Sequence, residues 1–150
     1  MGFVELQDVI VFAVEKEQEA IDFYNEYAGK VRQKAIAEEL RKIALMEQEH
    51  RDRLKNLDIT AAAKNAPESV QSLKIADYLV DIEPSPYMNW QTVVQIAMKR
   101  ELAAMNLYTD LAKLVPDPMI KKIFENLSAE ESSHKLYWEK IWDEEVLLDN

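Results

Sequence analysis

A chain of 150 residues with a formal net charge of −10 and no cysteine rules out several chemistries at the start. Without cysteine there are no disulfides, cysteine-ligated zinc sites, iron–sulfur clusters or thiol nucleophiles. The negative balance repels phosphate, so neither nucleic acid nor an anionic membrane is expected as a partner.

The length suits one domain, residues 1–150, with a core of its own. Only two glycines and five prolines interrupt a sequence rich in Ala, Glu, Lys and Leu, which predicts an all-α chain. The longest purely aliphatic or aromatic run, Val9 to Val14, is too short for a membrane span or a signal-peptide core. A soluble, cytoplasmic protein is the expectation.

In chain order, the apolar periodicity predicts a first helix over about residues 5–28, with Gly29 as its C-terminal stop. A second helix is predicted over about 33–57. Residues 58–88 hold Pro67, Pro84 and Pro86 and one short amphipathic piece, Ser72 to Val80. They read as a crossover carrying a small helix. A third helix follows Asn89, a suitable N-cap, to about residue 114. The turn Val115-Pro116-Asp117-Pro118 then starts a fourth, with Asp117 as N-cap and Pro118 in the first helical position, running to about 145. Two short turns between long helices make two antiparallel hairpins, and hence a four-helix bundle with one long crossover.

Two stretches of this bundle echo each other. Glu47-Gln48-Glu49-His50 and Glu131-Ser132-Ser133-His134 each place a carboxylate three residues before an imidazole. On a helix that spacing puts both side chains on one face, close enough to hold one ion. The copies are 84 residues apart, and the same offset relates Glu17 to Glu101. Four carboxylates and the only two histidines therefore form two matched sets. Residue 32, midway between Glu17 and Glu47, and residue 116, midway between Glu101 and Glu131, both fall at the predicted turns. All four carboxylates then stand at one level, about 22 Å from the turns at about 1.5 Å per residue. The crossover needs roughly 11 extended residues to span a helix of about 36 Å. Its 31 residues suffice, and would also let hairpins pair between two chains.

A glutamate-rich helix carries many solvated carboxylates, so the neighbours matter. Glu17 is flanked at helical spacing by Ile10, Ala13, Val14, Ala20, Ile21 and Tyr24, and Glu101 by Val94, Ala97, Met98, Ala104, Met105 and Tyr108. Both sit mid-stripe on the apolar face. Glu15, beside Asp8, Glu19 and Asp22, belongs to the outward face. Four ionised carboxylates in a dry core repel one another or take up protons. Two divalent cations balance them, with neutral imidazoles completing the shell. Oxygen-rich ligation with one nitrogen per ion suits iron or manganese, with zinc as an adventitious occupant. Tyr24 and Tyr108, two turns beyond Glu17 and Glu101, read either as core aromatics or as phenols hydrogen-bonded near the metals. Met46, Met98 and Met105 read as packing, and Tyr137, Trp138 and Trp142 as core or interface.

The pattern Glu17…Glu47-x-x-His50 and Glu101…Glu131-x-x-His134 resembles the rubrerythrin-like di-iron carboxylate proteins of the ferritin-like superfamily. The stretch Glu-Gln-Glu-Ala-Ile-Asp-Phe-Tyr from Glu17 is especially similar to the first rubrerythrin helix. The resemblance implies that Glu47 and Glu131 bridge two metals, that Glu17 and Glu101 are terminal, and that each histidine caps one metal. It also implies oxidoreductase chemistry on peroxide or dioxygen, carried by two iron ions with no separate catalytic residue, and a homodimer. Two departures stand out. Rubrerythrins usually carry a four-cysteine rubredoxin-like domain, absent here, so a separate donor protein would supply electrons. They also carry a further carboxylate one turn along the third helix, where this chain has Ala104. The alternative is a non-catalytic iron-binding or storage protein, or a helix bundle that a metal stabilises.

Overall fold

The first helix, α1 (Leu6–Ala28), turns Leu6, Val9, Ile10, Ala13, Ala20, Ile21 and Tyr24 to one buried face, three and four residues apart. The stripe covers more than a quarter of the helix circumference and requires another element to pack against. That element is α2 (Lys34–Lys55), which buries Ile36, Ala37, Leu40, Ile43, Ala44 and Leu54. The computed structural model describes residues 5–58, 73–80, 82 and 88–146. Its contacts divide the chain into two compact units, one comprising Val4–Lys64 and the other containing Asn65–Asn150.

In the first unit, α1 and α2 form an antiparallel hairpin. At the start of α1 the Glu5 amide donates to Asp8 Oδ2 at 2.9 Å, which satisfies one of the amides near a helix start. Two polar bonds fix the register between the helices: Arg41 Nη2 donates to the Ala28 carbonyl at 3.4 Å, and Arg51 Nη1 to Gln18 Oε1 at 2.8 Å.

Gly29 ends α1, but not by the left-handed conformation for which glycine is usually chosen. Its φ is −78° and its ψ −12°, and its amide still reaches back to the Glu26 carbonyl. A Cβ there would meet only the Glu26 carbonyl oxygen, at an ordinary 3.5 Å. Gly29→Ala is therefore expected to stabilise the protein by about 0.4–1 kcal/mol, through the smaller conformational entropy of its unfolded chain. Urea midpoints would show it, and a lower midpoint for the variant would contradict the conformational argument.

In the second unit, α3 (Trp90–Leu114) and α4 (Pro118–Ile141) form the corresponding hairpin. Asn89 Oδ1 accepts from the Thr92 amide at 2.8 Å, and Asp117 Oδ1 accepts from the Met119 and Ile120 amides at 2.9 and 3.3 Å. These bonds satisfy amides that a helix start leaves open, so Asp117→Ala should cost about 1 kcal/mol of stability, readable as a lower denaturant midpoint. Between the helices, Ser128 Oγ donates to the Met105 carbonyl at 3.2 Å and lies 2.7 Å from Thr109 Oγ1. Beyond Ile141 the chain continues as a π-turn over Trp142–Val146.

The small helix of the crossover is a single 3-10 turn, Ile75–Tyr78. It packs on α3, where the buried Tyr78 hydroxyl donates to Asp110 Oδ2 at 2.7 Å. Burial, then the Asp110 carboxylate, push the Tyr78 phenol well above its usual range, so it stays a donor at all ordinary pH. The remaining crossover residues, 59–72, 81 and 83–87, lie outside the described residues, as do the prolines Pro67, Pro84 and Pro86. Among the described residues there is no β-strand, and no helix is long and apolar enough to cross a membrane.

Candidate metal centre

Four helices contribute six polar side chains to faces that are otherwise apolar. Glu17 stands on α1 between Ala13 and Ala20, and Glu47 and His50 stand on α2 one turn apart. All three are buried, none more than 2% exposed. Each offers a ligand atom, and those atoms lie within 4.8 Å of one another. His50 Nδ1 is 3.8 Å from both Glu17 Oε1 and Glu47 Oε2. That separation is too long for a direct hydrogen bond and leaves room for an ion among the three.

The second unit repeats the arrangement with its own residues. Glu101 on α3 and Glu131 and His134 on α4 are buried, and their ligand atoms again lie within 4.8 Å of one another. His134 Nδ1 is 3.6 Å from Glu101 Oε2. Each unit thus holds a buried triad of two carboxylates and one imidazole, and each triad could hold a metal ion.

The electrostatics of the first triad show what a protein without metal must do there. Burial, and then the charge of Glu47, raise the Glu17 carboxyl well above its ordinary range, against a smaller opposing pull from His50. Burial alone would push the His50 imidazole down, but the carboxylates of Glu17 and Glu47 outweigh it and hold the pKa at about 10. Two carboxylates beside one imidazole in a dry site thus retain protons that water would remove. A divalent cation supplies the missing positive charge instead. The donor set of hard oxygens with one nitrogen fits iron or manganese. By that measure the residues present fit the metal.

Tyr24 and Tyr108 are fully buried on α1 and α3, two turns past Glu17 and Glu101. Tyr24 meets Phe23 edge-on at 5.4 Å, and Tyr108 stacks on Phe124 at 6.4 Å. Both rings are thus packed in the core on the same helices as Glu17 and Glu101. Glu15 is exposed, as its polar neighbours require. Met46, Met98 and Met105 are half-buried, as are Tyr137 and Trp142, while Trp138 is fully buried.

The pairing of Arg51 with Gln18 has no periodic signature in the sequence, and it joins the helices right beside His50 and Glu17. Only its placement, one residue after each of two candidate ligands, could have drawn attention to it.

The rubrerythrin family model matches residues 8–142, which include all six buried polar residues. The chain belongs to the rubrerythrin family. Its fold is ferritin-like. A solved structure from Thermotoga maritima, described as that of a ferritin-like diiron-carboxylate protein, matches this member of the rubrerythrin family with a TM-score of 0.75. The match covers 96% of this chain and 98% of that one at 18% identity, a likeness of fold. No curated protein matches the sequence.

Proposed function

We propose that this rubrerythrin-family protein is a di-iron carboxylate oxidoreductase that reduces peroxide or dioxygen. The observation that carries the reading is the pair of buried triads, each with two carboxylates and one imidazole, in a rubrerythrin-family chain. Each triad would hold one iron ion, through Glu17, Glu47 and His50 in the first unit and through Glu101, Glu131 and His134 in the second. Bound iron supplies the two electrons that a peroxide needs.

The chain's own residues prepare that chemistry. The four carboxylates provide four negative charges against the four positive charges of two ferrous ions. His50 gives up the proton it otherwise retains, because only a neutral imidazole can ligate. The apolar stripes of α1 and α3 exclude bulk water, which strengthens every charge interaction in the site. Tyr24 and Tyr108 act as orienting phenols beside the ligands. Electrons return from a separate donor protein, since no residue of this chain can hold an iron–sulfur centre.

Rapid mixing tests the reading. Protein loaded anaerobically with Fe(II) should be oxidised by peroxide far faster than free Fe(II) under the same conditions. Equal rates would overturn the enzymatic function and leave iron binding, storage or structural stabilisation as the role. A cage for storage would further show itself by elution as a large shell.

A further inference from the structure

The offset of 84 residues that relates the two triads also exposes a difference between the hairpins. Beside the first triad, Gln18 follows Glu17 on α1 and Arg51 follows His50 on α2. Arg51 Nη1 donates to Gln18 Oε1 at 2.8 Å, a partly buried bond from one helix to the other. Both ends are held in turn: Gln18 Nε2 donates to Asp22 Oδ1 at 3.0 Å, and Arg51 Nε to Asp52 Oδ1 at 3.1 Å. A run of four side chains thus ties the two helices at the level of Glu17 and His50. Asp52 offsets the guanidinium charge, so the tie does not turn the flank of the triad positive.

The second hairpin replaces all four. The same offset puts Leu102 in the place of Gln18, Lys135 of Arg51, Asn106 of Asp22 and Leu136 of Asp52. Leu102 and Leu136 are exposed and carry no polar group, and Lys135 pairs with Glu139 on its own helix. The polar bonds that do join α3 to α4, at Thr109 and Ser128, stand about two turns from Glu101 and one from Glu131.

We propose that Gln18 and Arg51 are positioning residues that hold Glu17 and His50 ready to ligate, which makes the first triad the tighter of two metal sites. The proposal rests on the metal-binding reading above. Ligands fixed before the ion arrives lose little freedom on binding, whereas an untied pair must be ordered at that moment. The planar guanidinium matters, because its fork bonds Gln18 and Asp52 at once in a fixed geometry. Removing a group that holds metal ligands in place typically weakens a site roughly 10- to 100-fold. At the lower figure, mass action puts about three of every four ions in the first triad when one equivalent is present.

His50 and His134 are the only histidines, so isotope-labelled histidine gives two NMR signals, one per triad. His134→Gln removes one and thereby assigns both. Zn(II) is diamagnetic and takes oxygen and imidazole ligands, so it moves each signal without erasing it. In the full chain at one equivalent of Zn(II), the shifted fraction should be about three times larger for His50 than for His134. Gln18→Leu, which gives the first hairpin the residue of the second, and Arg51→Met should each bring the two fractions close to equality. The double variant should do no more than either single one, because both break the same tie. The sign separates the tie from simple charge, since loss of the Arg51 cation alone would strengthen binding of Zn(II). A tie that served stability only would lower the melting temperature and leave the ratio of the two fractions as in the wild type.

Equal fractions in the wild type, His134 moving first, or an undiminished preference for His50 in the two variants each overturn the proposal. Should one variant fail to fold, the filling order in the wild type and in the other variant still decides. A failure of the metal reading looks different: neither histidine would respond to Zn(II), and the proposal would fall with the metal centre. Rapid mixing with peroxide tests the redox function separately, whatever the order of filling.

Discussion

Glu47→Gln should melt higher than the wild type without metal and lower than the wild type with it. In the metal-free protein Glu47 is one of two buried carboxylates beside a single imidazole, and its charge is the second-largest cause, after burial, of the raised Glu17 pKa. Glutamine keeps the shape and removes the charge. Glu17 remains 3.8 Å from His50, so the imidazole keeps one partner. With metal the balance reverses, because the variant lacks one of the two carboxylates of the first triad. A ligand that binds only the folded state stabilises by about 2.7 kcal/mol at a hundred times its dissociation constant. For a chain of this size that is a rise of roughly 5–10 °C, at about 2–4 °C per kcal/mol. Melting curves with and without Mn(II), which avoids iron oxidation during the scan, should show the rise in the wild type and little of it in Glu47→Gln. A variant that kept the full rise would remove Glu47 from the ligand set.

The second large effect is on pH dependence, which should invert when metal binds. In the metal-free fold the His50 pKa is held at about 10, above its ordinary 6.5. Its proton is bound more tightly in the folded state, so the stability it contributes is complete below about 6.5 and lost as pH rises through about 10. The Glu17 pKa is also raised above its ordinary 4.5. Its contribution is likewise present at low pH and lost as pH rises above that value. Both groups act in the same direction, and the metal-free protein should weaken from about pH 6.5 to 10. One proton contributes at most about 1.4 kcal/mol per pH unit. Bound metal requires the same groups deprotonated, so the metal-dependent increment should grow with pH over that window. Urea titrations at three pH values, with and without Mn(II), would expose a failure as parallel trends.

Much of this was legible because core-facing positions on a helix recur at a known interval. Glu17 and Glu101 differ from Glu15 only in their neighbours, and the neighbours placed two of them inside and one outside. The helix starts were equally readable, since Asn89 and Asp117-Pro118 carry the side chains that satisfy open amides. What escaped were interactions without a period. Gly29 marks the end of α1 yet keeps a right-handed backbone, because residue identity reports what a backbone can do and not what it does. The Tyr78–Asp110 bond joins residues 32 apart across a crossover whose path no local pattern encodes. Trp138 reads from the sequence as core or interface, and its edge contact with Trp90 depends on the register of α3 against α4.

All six side chains of the two triads project from helix interiors, none from a loop or a terminal residue. Fraying, the cheapest motion a helix has, therefore leaves every donor in place. An ion seated there can escape only when much of a hairpin comes apart. Its residence time would then follow the opening rate of the protein, and adding more chelator would not hasten its departure.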